Sequence, residues 1–164
     1  MAYSTAALLF LGYIVAQRLV ELVIARRNER ALRAQGAVEH FPRHYPLIVA
    51  VHTAWIAAML WWGHDQPVIL GWLVVYGILQ VLRVWILTSI GRRWTTRILT
   101  VPGETLVARG AYSLIPHPNY LLVIAEILVA PLVLGLWHVA AFASAANAAA
   151  LVIRVSAEER ALKR

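Results

Sequence analysis

Cysteine is absent from the 164 residues, which excludes disulfides and thiolate chemistry. Acidic side chains are scarce: eight, against fifteen lysines and arginines, for a net charge of +7. Such a balance points to nucleic acid when the cations share one solvated face. Here they lie in the short segments between apolar blocks, where membrane topology puts them, so no nucleic-acid partner is expected. There is no Gly-rich dinucleotide turn, so a soluble Rossmann-type domain is unsupported. Repeats, low-complexity tracts and disordered linkers are also missing. The first apolar run lacks a basic n-region and a small-residue cleavage site, and reads as a membrane span rather than a signal peptide.

What is present is apolar: 61% of the residues are hydrophobic, arranged in long blocks. The length gives one domain, 1–164, and the blocks give an all-α integral membrane bundle. Five transmembrane helices are expected, at about Ser4–Ala25, Pro46–Trp62, Val68–Ile90, Asn119–Gly135 and Trp137–Val155. The last two should form a tight helical hairpin around Gly135-Leu136-Trp137-His138. Arg26, Arg27, Arg30, Arg33 and Arg43 follow span one, Arg92, Arg93, Arg97 and Arg109 follow span three, and Arg160, Lys163 and Arg164 follow span five. The turn "WWGHDQP" has no Lys or Arg. This pattern places the N-terminus outside and the C-terminus in the cytoplasm, with Trp55, Trp61, Trp62 and Trp137 as interfacial anchors. In "RWTTRILTVPGETLVARGAY", β-branched residues flank Pro102-Gly103, which predicts a short cytoplasmic hairpin loop.

Ionisable groups in a span are costly and mark sites or helix-binding devices. Gln17, Arg18 and Glu21 share one helical face, as do Tyr76, Gln80 and Arg83. Asn147, Arg154 and Glu158 form a polar stripe leading to the cytoplasmic end of span five. Each has a structural alternative: an ion pair between helices for Arg18 and Glu21, snorkelling for Arg83, a solvated helix end for Arg154 and Glu158. The turn "IPHPNY" at 115–120 combines an extended Pro116 entry with Pro118 at a helix start. Its histidine reads either as an interfacial polar residue or as part of a helix N-terminus that seats a carboxylate or phosphate.

The order "LRVWILTSIGRRWTTRI…VPG…GAYSLIPHPNYLLVIAE…NAAALVIRVSAEERALK" resembles the isoprenylcysteine carboxyl methyltransferase family, membrane enzymes that use S-adenosylmethionine. It is most similar to a bacterial branch that O-methylates alkylpyrones and related phenolic lipids. His117, Pro118, Tyr120, Arg154 and Glu158 match the family signature R-H-P-x-Y-x-G…R-x-x-x-E, whereas Pro116 replaces its first arginine and Leu122 its glycine. The resemblance implies a cofactor site at His117, Pro118, Asn119, Tyr120, Glu158 and Glu159. It implies catalytic roles for Arg154 and Glu158, and acceptor contacts from Asn147, Arg83, Tyr45 and His52. No metal is expected. The two departures put a prenylcysteine acceptor in doubt.

The implied location is a bacterial inner membrane, where a water-borne methyl donor and a lipophilic acceptor entering from the bilayer can meet. Membrane lipids are the other expected partners. A carboxylate or an acidic 4-hydroxypyrone is already ionised near neutral pH, so an arginine that positions the anion suffices; a resorcinol, with a pKa of about 10, needs a base. Arg154 suits the anion holder, with Glu158 fixing its geometry or binding cofactor. The other readings are an isoprenyl carboxylate or phospholipid amine as acceptor and, in another class, a non-catalytic membrane scaffold or transporter. The paired interrupted spans usual in a transporter are not evident.

Overall fold

The computed structural model describes residues 4–42, 45–103 and 107–162, with the side chains of Glu159, Ala161 and Leu162 outside the described set. Six α-helices account for most of it. Helix α1 runs Thr5–Ala34, capped by Ser4, whose hydroxyl accepts from the Ala7 amide at 3.3 Å. Helices α2, Tyr45–Gly63, and α3, Leu70–Ile90, follow; a single turn α4, Ala111–Leu114, precedes α5, Pro118–Val133, and α6, Trp137–Leu162.

Four of these helices are long and apolar enough to cross a bilayer: α1, α2, α3 extended to Arg93, and α6 as far as Glu158. The expected fourth of five spans is α5, which has 16 residues. At 1.5 Å per residue it covers about 24 Å, short of a hydrocarbon core of about 30 Å. Lipid is nonetheless the fitting solvent for this surface, because Leu9, Leu70, Val81 and Phe142 all point outward. The interior is built from Phe10, Leu11 and Ile14 of α1, Trp55 and Met59 of α2, Tyr76 of α3, and Ile127 and Val133 of α5.

The tight α5–α6 hairpin forms as expected. Leu136 N–H bonds to the Pro131 carbonyl at 2.9 Å and Gly135 N–H to that of Leu132 at 3.0 Å. Gly135 at φ 67° completes a Schellman stop, a conformation that costs glycine nothing.

Three expectations need correction. Trp55 is no interfacial anchor: it is 2% exposed, packed in the core with the Arg18 guanidinium 5.6 Å from its ring centroid, whereas Trp61, Trp62 and Trp137 are exposed. Helix α1 continues nine residues past Ala25, because hydropathy locates the end of an apolar run while Arg, Glu, Ala and Leu all sustain a helix in water. The strand before Pro102-Gly103 does form, as β2, Leu99–Thr100, but it pairs antiparallel with β1, Val38–Glu39, from the preceding loop. Residues 104–106, on the far side of the expected local hairpin, lie outside the described residues.

The β1–β2 clip is held by charge. Glu39 bonds to Arg33, and to Arg97 at 2.6 Å. Burial alone would raise the Glu39 carboxyl, but the two guanidiniums outweigh it and hold it below its usual range. Arg97, bonded to Glu39, is correspondingly raised. The α1 extension fastens the next loop as well: Asn28 Nδ2 donates to the Trp94 carbonyl at 2.8 Å, and Thr96 Oγ1 donates to Glu29 at 3.0 Å.

Candidate functional site

Two cavities meet at the end of the bundle that carries the loop 93–100 and the start of α5. The larger, about 210 Å³, lies between the helices; its wall is mostly apolar and includes Tyr45, His52, Arg83, Asn147 and Arg154. The smaller, about 120 Å³, lies under the loop 93–100 and α4, and includes Tyr112, His117, Glu158 and Arg154. Trp94, Thr95, Asn119, Tyr120 and Arg154 line both.

The shared wall is hydrogen-bonded. Tyr120 donates its phenolic proton to Glu158 Oε2 and accepts from Arg154 Nε at 2.9 Å. Arg154 Nη1 donates to the Thr96 carbonyl at 2.7 Å, so the loop fixed by α1 in turn fixes the guanidinium. Glu158 thus supports Arg154 through the Tyr120 hydroxyl, where the sequence suggested direct control of its geometry. The His117 ring stacks on Tyr120, centroids 5.4 Å apart, and its Nδ1 lies 3.9 Å from Glu158.

His117 caps α5 in the left-handed conformation, φ 54° and ψ 47°, although a residue before proline favours extended backbone. Such strain, of order 1–3 kcal/mol, persists where the surroundings over-determine it, as between Tyr120 and Glu158 here. Pro118 occupies the first helical position, which suits its missing N–H, and lines neither cavity. Tyr112 in α4 is pushed up to about 12, by burial first and then by the Glu158 charge, so it stays a neutral hydroxyl at pH 7.

The sequence-derived residues therefore fall into two groups. His117 and Glu158 line the smaller cavity, Tyr45, His52, Arg83 and Asn147 the larger, and Asn119, Tyr120 and Arg154 face both. The Glu159 side chain lies outside the described residues. Tyr45 is held by the loop: its ring centroid lies 4.3 Å from the Arg97 guanidinium, and its hydroxyl lies 3.4 Å from Thr96 Oγ1.

Glu126 went unnoticed in the sequence, although it is the lone carboxylate of the run "LLVIAEILVAPLVLGL" and 0% exposed. Arg83 bonds to it through Nε at 2.6 Å and through Nη2, and Arg18 Nη2 reaches it at 2.9 Å. Glu21 accepts from Arg18 at 2.9 Å and from Arg83 Nη1 at 2.7 Å. Two cations and two anions close a neutral buried quartet tying α1, α3 and α5 together. Gln17 and Gln80 add hydrogen bonds at 2.9 and 3.0 Å, so both polar faces seen in the sequence converge here. Arg83 does not snorkel; it is buried in this quartet.

The sequence model of the isoprenylcysteine carboxyl methyltransferase family matches residues 70–164. The chain belongs to that family. Its members are membrane methyltransferases, in keeping with the apolar helices of this integral membrane protein. The chain is also 35% identical over 167 residues to the uncharacterised protein YpbQ of Bacillus subtilis, covering 94% of this chain and 95% of that one. An uncharacterised Haemophilus influenzae protein is 24% identical over 156 residues, with 91% and 90% covered. The matched region contains α3 to α6, hence the shared wall of the two cavities.

The residues present fit S-adenosylmethionine. Glu158 and the buried, unpartnered Oδ1 of Asn119 offer acceptors for an ammonium or ribose hydroxyls, and the arginine-bearing wall of the smaller cavity offers donors for a carboxylate.

Proposed function

We propose that this protein is an S-adenosylmethionine-dependent O-methyltransferase of a bacterial inner membrane, acting on a lipophilic acceptor such as an alkylpyrone or phenolic lipid. The observation that carries the reading is the meeting of a cavity edged by His117, Glu158 and arginines and a largely apolar one at Asn119, Tyr120 and Arg154. A water-soluble donor and a lipid-borne acceptor need separate entrances and one common wall. The cofactor supplies an electrophilic methyl group when bound.

His117, Asn119, Tyr120 and Glu158 bind and orient that cofactor on the polar side. Arg154, engaged through Nε and Nη1, keeps Nη2 for the acceptor oxygen and favours its anionic form. Tyr120 and Glu158 hold the guanidinium in place. The apolar wall excludes water from the acceptor and strengthens the charge interaction. Methyl transfer is an in-line displacement, so alignment of this kind is most of what the protein contributes.

In this reading α5 is a fifth, short span completed by the α5–α6 hairpin. The N-terminus faces out and the C-terminus the cytoplasm, in line with the loop arginines. Membrane lipids surround the outward apolar side chains.

The test uses purified protein, labelled S-adenosylmethionine and a 4-hydroxy-6-alkyl-2-pyrone. Transfer of label to the pyrone oxygen is expected, with S-adenosylhomocysteine binding in calorimetry. Binding without transfer to the pyrone, together with transfer to an isoprenyl carboxylate, would replace the acceptor; absence of S-adenosylhomocysteine binding would remove the function.

A further inference from the structure

Residues 94–98 form neither helix nor strand, yet the Thr96 carbonyl takes one of the two hydrogen bonds that orient Arg154, at 2.7 Å from Nη1. Two bonds brace this segment locally: Trp94 N–H to the Gly91 carbonyl at 3.0 Å, and Thr95 Oγ1 to that of Arg97 at 2.7 Å. Neither fixes the segment against the helices around it.

That is done from α1. Asn28 Nδ2 donates to the Trp94 carbonyl at 2.8 Å and Glu29 Oε1 accepts from Thr96 Oγ1 at 3.0 Å, so two consecutive residues of one helix grip the segment on either side of Thr95. Glu29 Oε2 also lies 3.7 Å from Arg97 Nε. Tyr45 and Glu39 reach only the Thr96 hydroxyl and the Arg97 side chain, whereas Asn28 bonds to the backbone itself. Asparagine is a poor residue for the interior of a 30-residue helix, because its amide competes for backbone groups, and burying it is costly unless it is bonded. Asn28 is 8% exposed and spends its amide on the loop. Helix α1 lies outside residues 70–164, so neither residue belongs to the part of the chain that matches the family.

We propose that Asn28 and Glu29 are positioning residues for Arg154: from α1 they hold the Thr96 carbonyl where it fixes the guanidinium. The role rests on the function proposed above. A displacement of about 1 Å at a reacting group costs on the order of 100-fold in rate, and Thr96 passes any movement of the loop directly to Nη1. A purely structural tie would lower stability and leave turnover of the folded protein alone. A positioning tie lowers kcat, and does so only while Arg154 is there to be placed.

Asn28→Asp keeps the shape of the side chain and replaces its donor with an oxygen facing the Trp94 carbonyl. The full-length variant and the wild type are compared in detergent by hydrogen exchange across residues 94–100, and by kcat for methyl transfer to the alkylpyrone or, where that is not accepted, to the isoprenyl carboxylate. Exchange is expected to quicken about tenfold. The expected fall in kcat is about fivefold, with acceptor KM changed less than about twofold. In an Arg154→Lys background, whose single nitrogen cannot serve Tyr120 and Thr96 as the fork does, the further loss should be under about twofold. If Asn28→Asp does not fold, Glu29→Leu takes its place, and Glu29→Gln, which keeps an acceptor for Thr96 Oγ1, should restore most of kcat. Unchanged exchange, or quickened exchange with unchanged kcat, overturns the proposal and leaves the reaction standing. So does a full loss retained beside Arg154→Lys, which would make the effect independent of the guanidinium. Absence of transfer to either acceptor by the wild type removes the methyltransferase reading, and this role with it, even where exchange quickens.

Discussion

Arg154 Nε donates to the Tyr120 hydroxyl at 2.9 Å, joining the last helix to the first turn of α5. Because the same hydroxyl gives its proton to Glu158, the three side chains act as one unit on the wall between the cavities. Charge at Glu158 is thereby transmitted to the orientation of the guanidinium without direct contact.

Tyr120→Phe keeps the ring that stacks on His117 and removes only the hydroxyl bridge. Turnover should fall about tenfold, roughly 1.4 kcal/mol of barrier, because Arg154 loses its support. S-adenosylhomocysteine affinity should weaken by less than this, and calorimetry beside a rate measurement separates the two. An unchanged kcat would show that the bridge is not needed to place Arg154.

Arg154→Lys keeps the charge and loses the planar fork that serves Tyr120 and Thr96 and, in the proposed function, the acceptor as well. A loss of kcat of at least about tenfold is expected, with cofactor affinity nearly unchanged. A loss confined to cofactor binding would move Arg154 out of the acceptor role. Arg154→Ala should be worse still, since the acceptor anion would be desolvated without a partner.

Much of this was readable from the residues, and the remainder has a common cause. Hydropathy located the helices, and the three- and four-residue spacings of Gln17, Arg18, Glu21 and of Tyr76, Gln80, Arg83 showed both polar faces before their meeting was known. The His-Pro turn drew attention to α5. What escaped was contact between distant segments: Val38–Glu39 with Leu99–Thr100, Asn28 with Trp94, and Tyr120 standing between Arg154 and Glu158. No local pattern encodes those pairings. Glu126 is different, since a carboxylate in an apolar helix was visible and the rule applied to Arg18 and Arg83 covers it equally.

The β1–β2 clip should loosen in acid. Glu39 titrates below its usual range when folded, so its stabilisation is complete above the ordinary carboxylate value and is lost as pH falls through the folded one. Arg33 is about half exposed, so the effect is local and screened by salt. Hydrogen exchange at the amides of 38–40 should quicken from about pH 5 downward. In Glu39→Gln that dependence should vanish; exchange equally pH-dependent in the variant would assign it elsewhere.

Topology can be tested without removing any native thiol, because the chain has no cysteine. Asp65→Cys, in the α2–α3 turn, should react with an impermeant maleimide only from the outer side. Labelling confined to the cytoplasmic side would invert the bundle and put the smaller cavity on the wrong face for an intracellular cofactor.

The quartet gives the sharpest stability prediction. Glu126→Gln keeps the shape of the side chain but leaves Arg18 and Arg83 with Glu21 alone, so a buried positive charge goes uncompensated. Removing one partner of such a group costs about 3–5 kcal/mol, much more than the hydrogen bonds themselves, and unfolding in detergent should show a loss of that size. Combining Glu126→Gln with Arg18→Met restores neutrality and, if net charge is the cause, should recover at least half of the loss. A double variant as unstable as the sum of its parts would instead mean that the individual hydrogen bonds, rather than net charge, hold α1 against α5.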